Sequence, residues 1–299
     1  MYKYTNGNAT ITIEKDGTRV ILYEDTLKLE YPLNIDIRVS TQCSFGQKPD
    51  GSPGLCSFCH ESAKVNGDEG DFERLKDIIA TLPPGIELAI GCNQYTDNLH
   101  SFLDWCLMYG FICNLTVNQG HVPRDKDKLK FGIENGLIKG LGVSYRSRFK
   151  FNLPDFILNY NNTVIHVIAG IDTIDDVMEL ADKGVKKILI LGEKDFGFNK
   201  GKVDLNTTKH KHWRWYLGKL LDKFDVVSFD NLALEQLKPE RFLSKENYDL
   251  FNQGEHSLYI NSVEGYFSPS SRSNTKVSVH ECTIREFFKD LEDGKYSKQ

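Results

Sequence analysis

No stretch of the sequence approaches the roughly 18 continuous apolar residues that a membrane span needs. The opening MYKYTNGNATITIEKDG also lacks an apolar signal core. The chain is therefore expected to be cytoplasmic, with no membrane as partner. Excess charge of one sign is missing too: 37 Lys and Arg against 42 Asp and Glu leave a net charge of -5, so nucleic acid is not favoured as a partner. No repeat of solenoid period and no low-complexity linker interrupts the 299 residues, which leaves one main domain as the expectation. Cysteine is scarce and odd in number. Seven thiols in a chain of this length do not form a disulfide framework, and they point to a reducing compartment with metal-binding or simply buried thiols.

What is present is an alternation of short β-branched runs with helical periodicity, the pattern of a parallel sheet with crossover helices. The runs predict strands at Ile35–Val39, Glu87–Ile90, Ile112–Val117, Gly140–Ser144, Thr163–Ile168 and Lys187–Leu191. Helices are predicted over Phe72–Leu82, Leu99–Tyr109, Leu129–Asn135, Thr173–Lys183 and Trp213–Phe224. The fold class is accordingly α/β, a partial (β/α)6 TIM-like barrel over residues 34–224. Residues 1–33 form an N-terminal ornament, a β-hairpin over residues 9–24 turning at Lys15-Asp16-Gly17.

Residues 225–299 read as a C-terminal α+β extension packed on the barrel. It would hold a strand at Asp225–Phe229, a hairpin over Ser257–Phe267 and an amphipathic helix over Thr283–Glu292. Asp230-Asn231 reads as a helix cap, and Ser268–Ser273 as a polar turn. The basic, aromatic Lys209–Trp215 reads as the solvated start of a helix.

The chemistry concentrates after the first strand, where Cys43, Cys56 and Cys59 stand at C-x12-C-x2-C spacing. Three thiolates on one iron–sulfur cube leave the fourth iron open to a substrate. A structural zinc site is the alternative, but neither His60, adjacent to Cys59, nor the distant Cys92 completes a familiar zinc spacing. Cys106, Cys113 and Cys282 read as core or surface thiols. Polar residues that follow strands three and six, among them Asn118, Gln119, His121, Glu193, Lys194 and Asp195, would face the active end of a barrel.

With Phe58 before the last cysteine, this loop resembles the radical S-adenosylmethionine superfamily, whose usual spacing is C-x3-C-x2-C. The resemblance implies a 4Fe-4S cluster on Cys43, Cys56 and Cys59. It further implies S-adenosylmethionine as second cofactor, with Phe58 against the adenine, and a one-electron reductant of flavodoxin or ferredoxin type as partner. Gly91-Cys92-Asn93-Gln94 stands where the family carries Gly-Gly-Glu-Pro, so Gly91, Cys92 and Asn93 would receive the amino group, Asn93 through its carbonyl oxygen. Ser144 and Arg146 would meet the ribose and the methionine carboxylate, and Ile168, Gly170 and Leu191 the adenine. Asn118, Gln119, His121 and Lys194 are the substrate candidates. The implied activity is reductive cleavage of S-adenosylmethionine to a radical that takes hydrogen from a substrate. Two alternatives stay open: a non-catalytic zinc or iron–sulfur scaffold, and an enzyme that has lost this cleavage.

Overall fold

Every second residue of the central strands is a branched apolar side chain. Ile35 and Ile37, Leu88 and Ile90, Leu115 and Val117, Leu141 and Val143, Ile165 and Val167, and Ile188 and Ile190 are all 2% exposed or less. Successive side chains of a strand point to opposite faces, so these residues make one apolar sheet face that must be covered. The residues between them are polar or small, Asp36 and Arg38, Ala89 and Gly91, Thr116 and Asn118, Gly142 and Ser144, and His166, with Leu189 the exception. The two faces of the sheet are thus chemically different before any helix is placed.

A computed structural model describes residues 2–15, 17–147, 149, 152–249 and 256–296. The strands are β1 (Tyr2–Asn6), β2 (Ala9–Ile13), β3 (Arg19–Tyr23), β4 (Asn34–Arg38), β5 (Gln42–Gln47), β6 (Glu87–Cys92), β7 (Ile112–Asn118), β8 (Gly140–Ser144), β9 (Thr163–Ile168), β10 (Lys187–Leu191), β11 (Val226–Phe229), β12 (Ser257–Asn261), β13 (Tyr266–Ser268) and β14 (Val277–Ser278). The helices are α1 (Phe72–Ile79), α2 (Asp97–Met108), α3 (Val122–Glu134), α4 (Asp155–Leu158), α5 (Ile174–Asp182), α6 (Thr208–Leu221), α7 (Asn231–Leu237), α8 (Lys245–Asp249) and α9 (Ile284–Glu292). None of the described helices is long and apolar enough to cross a membrane.

The molecule is mixed α/β, with a ten-stranded, mostly parallel sheet in the order β11-β10-β9-β8-β7-β6-β4-β12-β13-β14. The sheet is open, with β11 and β14 at its two ends. Eight consecutive strands, β11 to β12, run parallel, and β13 and β14 are antiparallel. The six parallel strands expected from the sequence become eight because β11 and β12 join at either side. Phe72, Leu75 and Ile79 of α1, Phe102 and Leu103 of α2, Val177 and Leu180 of α5 and Trp213 and Leu217 of α6 pack into one core with the apolar sheet face. Each such side chain contributes about 1.5–3 kcal/mol by leaving water.

The N-terminal hairpin gains a third strand, β1, and forms an antiparallel sheet β1-β2-β3 with its own small core of Ala9, Ile11, Ile13 and Leu33. Asp16, in the expected turn, lies outside the described residues. Ile112 at the start of β7 joins this small core, and Arg19 pairs with Glu87 at the start of β6. This sheet therefore sits at the amino-terminal ends of the parallel strands. Side chains fix the helix starts, at Asp230 as expected: Asp71, Thr96, Thr173, Thr207 and Asp230 each accept from a backbone N–H of the first turn, and Thr283 forms a capping box with Glu286. Helix α3 starts at Val122 rather than Leu129, because Pro123 is compatible with a first turn and the charged run 124–128 hides the periodicity.

Candidate functional site

The twelve residues between Cys43 and Cys56 fold back on themselves. Gly51, at φ +83°, closes a turn in which the Gly51 N–H donates to the Lys48 carbonyl and the Lys48 N–H to the Ser52 carbonyl. The Leu55 N–H then reaches the Phe45 carbonyl at 2.9 Å, so Cys56 returns beside the strand that holds Cys43. At Gly54 a Cβ would fall 2.2 Å from the Phe45 carbonyl oxygen, a backbone approach that only glycine permits. The Cys59 N–H donates to the Cys56 carbonyl, and the Phe198 N–H donates to the Cys59 carbonyl at 3.0 Å, tying the loop to the chain after β10.

The three thiols open onto a cavity of about 370 Å³, which is the size of a small-molecule site. Its wall includes Asp36 of β4, Ala89 of β6, Thr116 of β7, Ser144 of β8, His166 of β9, Leu191 of β10 and Tyr259 of β12. Seven neighbouring strands laid flat would span roughly 30 Å at the usual strand spacing. The polar sheet face must therefore curve around the cavity, and the carboxyl ends of the parallel strands carry most of its lining.

Fourteen of the sixteen residues expected to hold the cluster, the cofactor or the substrate line this one cavity. They are Cys43, Cys56, Phe58 and Cys59 of the loop; Gly91, Cys92 and Asn93 at the end of β6; Asn118 and His121 after β7; Ser144 and Arg146 after β8; and Ile168, Leu191 and Lys194. Gln119 and Gly170 do not line it. The Gln119 carbonyl oxygen accepts from the Arg146 N–H and its amide donates to the Phe149 carbonyl, so it braces the loop after β8. Gly170, at φ +92°, packs where a Cβ would meet the buried His210 and Glu193, away from the cavity. Glu193 is held by Asn199, and Asp195 accepts from the Gly201 N–H.

Burial pushes the Cys43 thiol up to about 11, and Cys59 is also raised by burial. Thiolates at Cys56 and Cys59 would raise Cys43 further, which puts the three sulfurs within electrostatic reach of one another. Cys92 is buried and raised as well. Among the described residues, no group of three or more His, Cys, Asp or Glu side chains converges in the way a single metal ion requires. The thiols instead share one cavity wall.

No protein-family model matches the chain, and none of the curated proteins matches it.

The remaining lining groups are committed to differing degrees. Asn93 Nδ2 donates to the Ser40 carbonyl at 2.9 Å, which leaves its carbonyl oxygen for a ligand. Arg146 pairs with Asp172 at 3.6 Å and lies over the Phe58 ring at 4.9 Å, so its guanidinium is shared with the protein. His121 stacks on Phe45 with its Nε2 3.0 Å from Ser44 Oγ and 4.0 Å from Cys43 Sγ; burial, then the charge of Arg124, lowers it to about 4 and keeps the ring neutral.

Residues not expected as site contacts also line the cavity: Asp36, Arg38, His60, weighed only as a zinc ligand, Glu61, His166 and Tyr259. Gly142 makes room for His166, because a Cβ there would fall 2.6 Å from the imidazole. Burial, then the charge of Arg146, lowers His166 to about 4. For Asp36, Arg38 and His166 the signal was the polar alternate positions of the strands, whereas His60 and Glu61 follow Cys59 in the loop. A sheet with helices on both faces would have filled those positions with apolar side chains.

Proposed function

We propose that the chain is a radical S-adenosylmethionine enzyme built on a partial β/α barrel, with the resemblance of its cysteine loop extended by the cavity. The observation that carries this is the sharing of one cavity by Cys43, Cys56 and Cys59 with Phe58, Asn93 and Ser144 at the carboxyl ends of parallel strands. A single zinc ion needs its ligands gathered about 2.3 Å from one point, whereas three thiols spread around a wall suit three corners of a cube. The donor set fits: three thiols, each able to lose its proton to a metal.

Cys43, Cys56 and Cys59 would hold the 4Fe-4S cluster. When bound and reduced, that cluster supplies the electron for cleaving a sulfonium. The rest of the chemistry belongs to this chain's residues. The carbonyl oxygen of Asn93 would accept from the ligand's ammonium, Phe58 would lie beside its adenine, and Ser144 would hydrogen-bond its ribose. The apolar Ile168 and Leu191 keep water from the adenine side. A one-electron donor protein and a reducing, cytoplasmic setting complete the proposal, in keeping with seven free thiols.

Anaerobic reconstitution tests it. Four irons and four sulfides per chain are expected, with 5′-deoxyadenosine appearing on addition of S-adenosylmethionine and a reductant. Bound zinc without sulfide would sink the proposal.

A further inference from the structure

Lys194 follows β10 and reaches across the cavity to the far side of the parallel array. Its Nζ stands 3.2 Å from Ser271 Oγ and 3.5 Å from His60 Nε2. The same His60 nitrogen lies 3.0 Å from the Glu61 carboxylate. One imidazole nitrogen offers either a proton or a lone pair, and a donor to Glu61 has no lone pair left for Lys194. Of the three N–H donors on the ammonium, Ser271 takes one; the ammonium lies 5.6 Å from the Phe196 ring centre, and Lys194 lines the cavity.

Asp36, on β4, is the complementary case. Its carboxylate is accessible through the cavity, and among the described residues it makes no hydrogen bond or ion pair of its own. Burial raises its carboxyl, and the charge of Lys194 opposes that without direct contact. Glu61 feels the charge of Lys194 but makes its direct contacts with Arg38 and His60. Arg38 is matched by Glu61 at 2.7 Å and Glu264 at 3.5 Å, and Tyr259, opposite Asp36 in the β4–β12 register, is a phenol that burial, then the charge of Glu61, keeps protonated. One wall therefore presents the Lys194 ammonium and the Asp36 carboxyl, neither with a direct ion-pair partner among the described residues, to the same space.

The geometry points to a small zwitterionic substrate, such as an amino acid, with its anionic oxygens on Lys194 and Ser271 and its ammonium group on Asp36. Calling this ligand the substrate rests on the radical proposal above; the binding site itself does not. Ser271 and Tyr259 both come from the C-terminal region, which thereby selects what enters.

Amide NMR of the full, metal-free chain tests the site, with γ-aminobutyrate, acetate and methylammonium as probes. γ-Aminobutyrate is expected to shift the Lys194, Ser271 and Asp36 amides saturably, about tenfold more tightly than either half-molecule, since each added charge-assisted contact strengthens binding. Lys194→Met and Asp36→Asn should each erase that advantage while resonances outside the cavity stay in place. Ser271→Ala, which leaves both charges, should weaken binding severalfold. Equal affinity for acetate and γ-aminobutyrate, unchanged binding in Lys194→Met or in Ser271→Ala, or displacement of the probe by S-adenosylmethionine would overturn the inference. No iron or reductant is present, so a failure of the radical proposal leaves this result untouched.

Discussion

Arg38 holds Glu61 at two points, with Nε 2.7 Å from the carboxylate and Nη2 donating to the main-chain carbonyl at 2.5 Å. Glu61 lies two residues after Cys59, so this contact fastens the cysteine loop to the end of β4. Arg38→Met keeps the length of the side chain and removes both contacts. A loss of about 2–3 kcal/mol in urea unfolding is expected, because a partly buried carboxylate loses its direct cation and keeps the His60 contact and the more distant charge of Lys194. Iron content after reconstitution should fall with it. Unchanged stability and iron content would show that the loop is held elsewhere.

Glu61 also gives a pH signature. Burial would raise its carboxyl, but the hydrogen bond and charge of His60, with Arg38 and Lys194, outweigh that and hold it at about 2. Burial, then Lys194, lowers His60, so at neutral pH His60 acts as a hydrogen-bond donor and Arg38 is the charge partner. A depressed carboxylate stabilises the fold fully above its unfolded value near 4.3, and the contribution is lost as pH falls through about 2. The stability gap between wild type and Glu61→Gln should therefore be constant above about pH 5 and shrink toward pH 2. A gap that widens on acidification would contradict this assignment.

Cysteine variants separate the cluster from the core. Cys56→Ala and Cys59→Ala should abolish both the iron–sulfur absorbance and 5′-deoxyadenosine formation. Cys106 and Cys113 are 0% and 1% exposed inside the helix–sheet core. Their alanine variants should keep iron and lose about 1 kcal/mol to the small void left behind. Cys92→Ala should keep iron and change only the affinity for S-adenosylmethionine; loss of iron there would make it a fourth ligand and remove the open site.

Asn93 joins two tasks, since its amide anchors Ser40 and its carbonyl oxygen faces the cavity. Asn93→Ala should weaken S-adenosylmethionine binding by about 1–3 kcal/mol, the cost of leaving a donor unpaired, with cluster content retained. Calorimetry on reconstituted protein reads both the affinity and the stoichiometry. Equal affinities would remove Asn93 from the site.

The local parts of this structure were legible because local rules make them. The strand and helix runs, the cap at Asp230 and the capping box at Thr283 all follow from residues a few positions apart. The inward turn of His210 and Trp213, with Trp215 77% exposed, likewise follows from helical period. The pairing of β12 with β4 was not legible, since no short-range pattern links residues 257–261 to residues 34–38. That pairing brings Tyr259 into the cavity. Asp36 and Arg38 were visible as polar alternates, but alternation by itself does not tell an enclosed polar face from one open to solvent. Gly170 shows the opposite error: its spacing suggested a ligand contact, while its positive φ and close packing on His210 give it a turn to make.

The β4–β12 ladder joins segments more than two hundred residues apart, and it forms the wall that carries Asp36 and Tyr259. Contacts of such sequence separation carry a high loop-closure cost and slow folding. During synthesis from the amino terminus this wall cannot close before Ser257–Asn261 has been made. Until then the edge of β4 stands bare. A chain stalled before Ser257 would present an unpaired parallel strand to its neighbours, which makes early termination an aggregation hazard rather than a mild loss of affinity.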